Sequence, residues 1–184
     1  RIDHERFGLG PSATTGIDVR VEDGRLGLRR LAAGSRDLIV GDAFGGVSVP
    51  WHLTTAQALG DVRRALDEDG LYVANLIDHG ALAFARAEVA TLASVFPHVA
   101  LMGKPADIGL DPTASTIGGN LVVVASGRPV DAAAVQEALD ARDVGWRITT
   151  GDALAAWTGN ARVLTDDYAP VDQLLQPNRT RTAR

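Results

Sequence analysis

The chain has 184 residues, 46% of them hydrophobic, and a formal net charge of −5, a size and composition that suit one domain with a true core. The only Arg-rich stretch is the terminal NRTRTAR, so the acidic balance argues against nucleic acid as a partner and fits a small neutral or cationic ligand better. There is no cysteine, which removes disulfides and thiolate metal sites and matches the cytoplasmic norm while leaving secretion open. No apolar run in the visible chain nears the roughly 18 residues of a membrane helix.

The sequence opens on RIDHERFGLG, with neither an initiator methionine nor a signal-peptide pattern. GLGPSATTG follows; it fails the G-x-G-x-x-G spacing, contains Pro11 and has no strand before it, so it reads as a loop. In GIDVRVEDG, Ile17, Val19 and Val21 alternate with polar residues, the period of a strand with one buried face that ends at Glu22-Asp23-Gly24. DLIVGD, GLYVANLID, HVALMG and GNLVVVASG are short apolar runs rich in Val, Ile and Leu and bounded by Gly, Asp or Pro, which suits strands covered on both faces.

Helical patterns separate these runs. Leu59, Val62 and Leu66 share a face after the caps Thr54 and Thr55, with a stop expected at DEDG, which ends in Gly70. Leu82, Val89, Leu92 and Phe96 share another face before Pro97, and a third helix is expected after Asp131, burying Val135, Ala138 and Leu139. Strands alternating with helices predict an α/β fold built on a doubly wound, mainly parallel sheet.

Ligands of such sheets sit at the carboxyl ends of the strands, where Asp23, Asp42 and Asp78 fall. Three carboxylates at one rim would focus negative potential on a hydroxyl- or amine-bearing ligand, although each alone is more readily explained as a turn former or helix cap, and only their coincidence balances the two readings. The four histidines are scattered without metal-ligand spacing, and no G-x-S-x-G elbow is present. No metal is expected.

The order and spacing of Asp23-Gly24, RDLIVGDAFGG, VSVPWHLTTAQALGDVRRALDEDGLYVANLID and the late LTDDYAPVDQLL resemble the spermidine synthase family of polyamine aminopropyltransferases, in particular its divergent bacterial branch. The resemblance runs from about Gly16 to Asp172. It implies a Rossmann-like, methyltransferase-type sheet whose glycine-rich donor loop and ribose-binding acid would precede Arg1, so residues 1–175 read as the later part of one domain and 176–184 as a flexible tail. It implies decarboxylated S-adenosylmethionine, or S-adenosylmethionine itself, as a co-substrate rather than a tightly bound cofactor. A small-molecule amine is the implied acceptor, and a homodimer the implied assembly.

Carried over by residue, Asp23 with Gly24 matches the acid-glycine pair that meets the adenine amino group, and Asp42 matches the first acid of D-S-x-D-P, which takes the proton of the attacking amine. The second acid of that motif falls on Gly45. Asn75 and Asp78 at the next strand end, with Asp166, Asp167 and Tyr168 from the late loop, are the candidates to replace it. Tyr168 serves equally as a packed aromatic, and Phe44 and Trp51 read as packing residues. Three functions stay open on these residues: aminopropyl transfer to a di- or polyamine, methyl transfer from S-adenosylmethionine, and a non-catalytic nucleoside-binding or regulatory module.

Overall fold

The computed structural model describes residues 19–43 and 49–175. Asp23 starts a helix rather than finishing a strand: its Oδ1 accepts from the Leu26 N–H at 2.9 Å, and α1 (Gly24–Arg30) runs from there. Val19 and Val21, expected on a buried strand face, are exposed. The rest of that expected strand, like GLGPSATTG, lies outside the described residues. Alternation misleads here because a strand needs a hydrogen-bonded neighbour, and among the described residues Val19 to Glu22 have none.

β1 (Arg36–Gly41) follows, then a 3-10 turn at Trp51–Leu53 and α2 (Ala56–Ala65), whose cap Thr55 accepts from the Ala58 N–H at 3.2 Å. Leu59 and Val62 face the core, and burying a side chain of that kind is worth about 1.5–3 kcal/mol. The expected stop at DEDG is corrected: the helix ends at Ala65, because Leu66 is already extended and pairs with Arg36 to open β2 (Leu66–His79). Along β2, Tyr72, Ala74, Leu76 and Asp78 are buried beneath α2 and α3 (Ala83–Val95), whereas Leu71, with Leu38 and Val40 of β1, is exposed on the opposite face. Phe84, Glu88 and Leu92 form the inward stripe of α3, and Phe96 beyond it stacks on Tyr72 with ring centres 6.4 Å apart.

The remaining elements are β3 (His98–Gly103), β4 (Gly118–Ser126), α4 (Ala132–Asp140), β5 (Arg147–Thr150), α5 (Gly151–Thr158) and α6 (Val171–Leu174). Asp131 caps α4 through the Ala134 N–H, as expected, but Val135, Ala138 and Leu139 are half-buried rather than buried, since α4 packs against the short β5. No helix among the described residues is long and apolar enough to cross a membrane.

The sheet order is β1-β2-β4-β3-β5, and only β1 and β2 pair in parallel; β2–β4, β3–β4 and β3–β5 are antiparallel. This overturns the expected mainly parallel sheet. A parallel return needs a crossover, normally a helix. The link from β3 to β4, residues 104–117, holds only turns, so β4 comes back beside β3 and slots between it and β2. The apolar run of β4 reports burial on both faces, at Leu121, Val123, Val124 and Ala125. Strand direction is not encoded in it.

Candidate active site

A cavity of about 280 Å³ lies between α1, α2 and α3, the carboxyl end of β1 and the middle of β2. Asp42 reaches it directly from the end of β1, where the sheet hands the chain to a loop. Asn75 of β2 donates from Nδ2 to Asp42 Oδ1 at 3.1 Å, and Asn120 of β4 donates from Nδ2 to Asn75 Oδ1 at 3.2 Å. This relay through two neutral amides orients the Asp42 carboxylate. Tyr72 fills the wall beside it: a Cβ on Gly41 would collide with the Tyr72 hydroxyl, so glycine is what lets the ring lie under the end of β1. Burial, and secondarily the nearby Glu88 carboxyl, holds the Tyr72 phenol above its ordinary pKa, so it stays protonated at neutral pH.

Gly24 lines this cavity, and the adjoining Asp23 is engaged twice, by the α1 amides and by His52, whose Nε2 lies 3.0 Å from Oδ2. The Leu26 N–H, followed by His52, keeps the Asp23 carboxyl below the usual aspartate range. Asp78 is elsewhere. It is fully buried and caps α3, accepting from His79 N–H at 2.7 Å and Ala85 N–H at 2.9 Å, a task left open because the local cap position is Leu82, which has no side-chain acceptor. Desolvation raises its pKa against the pull of those amides. The three acids expected at one rim are therefore not gathered: Asp42 and the Asp23-Gly24 pair adjoin one cavity, and Asp78 lies in the core. Phe44 and Gly45 lie outside the described residues.

Asp167 and Tyr168 line a second concavity of about 480 Å³ with Trp51, and Val49 borders both. Trp51 is half-exposed there, and the Tyr168 ring lies 3.5 Å beneath the Arg162 guanidinium.

Two residues that matter here escaped the sequence reading. Arg25, buried on α1, grips Asp166 through two hydrogen bonds of 2.8 Å, and Thr55 donates to the same carboxylate at 2.7 Å. That clamp ties the late loop to α1 and α2 and so fixes Asp167 and Tyr168 beside Trp51. Its signal was the placement of Arg25 three residues before the core-packed Leu28. Glu88 is the other, a carboxyl on the apolar face of α3 that reaches the floor of the first cavity.

Asp166→Asn is expected to lower stability by about 1–2 kcal/mol at neutral pH, a charge-assisted bond discounted for solvent screening of the half-exposed carboxylate. The Arg25 hydrogen bond, chiefly, depresses the Asp166 pKa below 3.8. The folded state therefore binds fewer protons than the unfolded one near that value, so the contribution is complete above pH 3.8 and is lost as the pH falls through the folded pKa. Urea unfolding of both proteins at neutral and acid pH checks this: the gap should narrow in acid.

No protein-family model and no curated protein sequence matches the chain. Among solved structures, a probable spermidine synthase from Corynebacterium glutamicum ATCC 13032 superposes with a TM-score of 0.75 at 27% identity over 96% of this chain. The chain spans 62% of the length of that protein. Human methyltransferase-like protein 13, solved in complex with SAH, matches with a TM-score of 0.54 at 21% identity over 94% of this chain and 72% of its own, a likeness of fold. With a Rossmann-like core and 27% identity, the chain is a structural homologue of a probable spermidine synthase.

Proposed function

We propose that this chain belongs to an enzyme that transfers an aminopropyl group from decarboxylated S-adenosylmethionine to a di- or polyamine. The observation that carries the reading is Asp42, oriented by Asn75 on the wall of a cavity that no Lys, Arg or His among the described residues lines, in a chain homologous to a probable spermidine synthase. An ammonium has no lone pair, so the acceptor must lose a proton before it attacks. In this reading Asp42 takes that proton, and the freed nitrogen lone pair forms a bond to the methylene carbon beside the sulfonium. The carbon–sulfur bond breaks with both electrons going to sulfur, and methylthioadenosine leaves as a neutral thioether.

Asp23 and Gly24 would meet the adenine edge, and Asp167 and Tyr168, held by the Asp166 clamp, would flank the amine from the adjoining concavity. Asp78 has no part in it, because it is fully buried as the cap of α3 and lines neither concavity. The fold shared with the human methyltransferase-like protein supports a second reading, methyl transfer from S-adenosylmethionine. A cavity lined, among the described residues, by two carboxyl groups and no cation favours the donor without a carboxylate. The natural full-length protein, given decarboxylated S-adenosylmethionine and putrescine, is expected to release methylthioadenosine and spermidine, followed by mass spectrometry. Methyl transfer from S-adenosylmethionine, with no aminopropyl product, would replace the first reading with the second.

A further inference from the structure

The cavity floor carries a group that fold stability alone does not explain. Glu88 is 3% exposed, and its Oε2 has no hydrogen-bond partner among the described residues. It sits between Phe84 and Leu92 on the inward stripe of α3, where a leucine would pack without cost. A buried carboxyl without a partner destabilises the protein that holds it. What faces it is the Tyr72 ring from β2, with Asp42 beyond the end of β1 and Asn75 on the same lining; no cation among the described residues lines the space. The rest of the wall is aliphatic, from Ile39, Leu53, Val62 and Leu76.

An occupant that satisfies such a surface has an aliphatic stem for the walls and positive charge for the carboxyl groups. We propose that Glu88 binds the remote, non-reacting ammonium of the amine substrate while Asp42 serves the nitrogen that reacts. The inference deepens the aminopropyl-transfer reading and rests on it for the identity of the reacting nitrogen. It makes Glu88 the residue that separates diamines from monoamines: putrescine engages both carboxyl groups, and butylamine, with the same stem and one nitrogen, engages one.

Burial holds the empty Glu88 carboxyl well above the ordinary glutamate pKa of 4.5. Because the folded state then keeps a proton that the unfolded chain has released, the wild type loses stability as pH rises above 4.5, and Glu88→Gln should not. The variant is therefore expected to fold at least as well as the wild type at neutral pH, and melting curves at acid and neutral pH verify that before any assay.

The test compares wild type and Glu88→Gln in the full-length protein with putrescine and with butylamine. Steady-state transfer should show KM for putrescine raised at least tenfold in the variant, kcat changed by less than threefold, and butylamine kinetics unaltered. Calorimetric titration with putrescine in the absence of transfer should show the same loss of affinity. Transfer with an unchanged putrescine KM overturns the role of Glu88 and leaves the enzyme reading standing. Putrescine binding that is lost in the variant, without transfer in either protein, upholds the ammonium site and sinks the enzyme reading instead. An equal weakening of putrescine and butylamine overturns the proposal, since a general disturbance of the cavity would cause it.

Discussion

Asp42→Asn is expected to lower the rate of aminopropyl transfer by about 100-fold or more, the usual worth of a positioned general base. The melting temperature should stay within about 1 °C, as for other exposed substitutions. The separation of the two effects follows from the geometry. Asn75 donates to Asp42 Oδ1, and an asparagine carbonyl oxygen can accept that bond in the carboxylate's place, though more weakly, so the relay from Asn120 is kept. What disappears is the oxygen able to take a proton. Rates measured with saturating amine, beside a thermal melt of each protein, decide the matter. A variant as fast as the wild type would remove Asp42 from the chemistry, and one that melts early would show that it supports the strand end instead.

Gly118→Ala should produce the largest loss of stability of any single methyl addition considered. Gly118 opens β4 with φ at +86°, a conformation that side chains rarely adopt, and its Cβ would be driven onto the Asp78 carbonyl oxygen and to within 2.6 Å of the His79 Cα. Both obstacles are backbone, so no rotamer change relieves them. The Gly118 N–H is also held at 3.0 Å by the buried Asp107 carboxylate, which accepts from Ile117 as well, so the loop cannot simply retreat. Strain plus overpacking of this kind costs about 3 kcal/mol or more, equivalent to a melting point lower by about 6–12 °C in a domain of this size. The adjacent Gly119→Ala provides the comparison. Its added carbon meets nothing within 4 Å, so its cost should come from backbone conformation alone and be smaller. Equal melting points for the two variants would contradict the collision.

The segments that form β1, β2, β3 and β4 were legible because a Val-, Ile- and Leu-rich run bounded by Gly or Asp is a local signal, and so were the caps Thr55 and Asp131. Their arrangement was not. Nothing in HVALMG or GNLVVVASG distinguishes a strand that runs beside its predecessor from one that returns against it; the missing helix in residues 104–117 was the available clue. RITT, four residues at the far edge, is too short to stand out from a loop. Asp42 and Asp78 look alike in sequence, each closing an apolar run, and they diverge because the helix after Asp78 begins at a leucine that cannot cap it. The late clamp was half visible. Asp166 could be placed in an acid-rich loop, whereas its partner Arg25 lies 141 positions away, on a helix that begins where the alternation of Val19 and Val21 predicts the end of a strand. Glu88 is hidden in the sequence for a different reason: an acid beside Val89 on an amphipathic helix reads as its solvated face, and only the packing shows that it points inward.

The placement of β4 bears on how the chain reaches this state as it leaves the ribosome. β2 and β3 are made first, yet neither touches its final neighbour on the inner side until residue 126 has emerged, because the strand that joins them is the last of the three. A nascent chain halted before that point exposes two sticky edges facing an empty slot, and premature closure of that slot by pairing β2 directly with β3 would be a productive-looking dead end. Fragments ending near residue 117 and near residue 130 should accordingly differ sharply in protease resistance, with the gain arriving in one step as β4 seats.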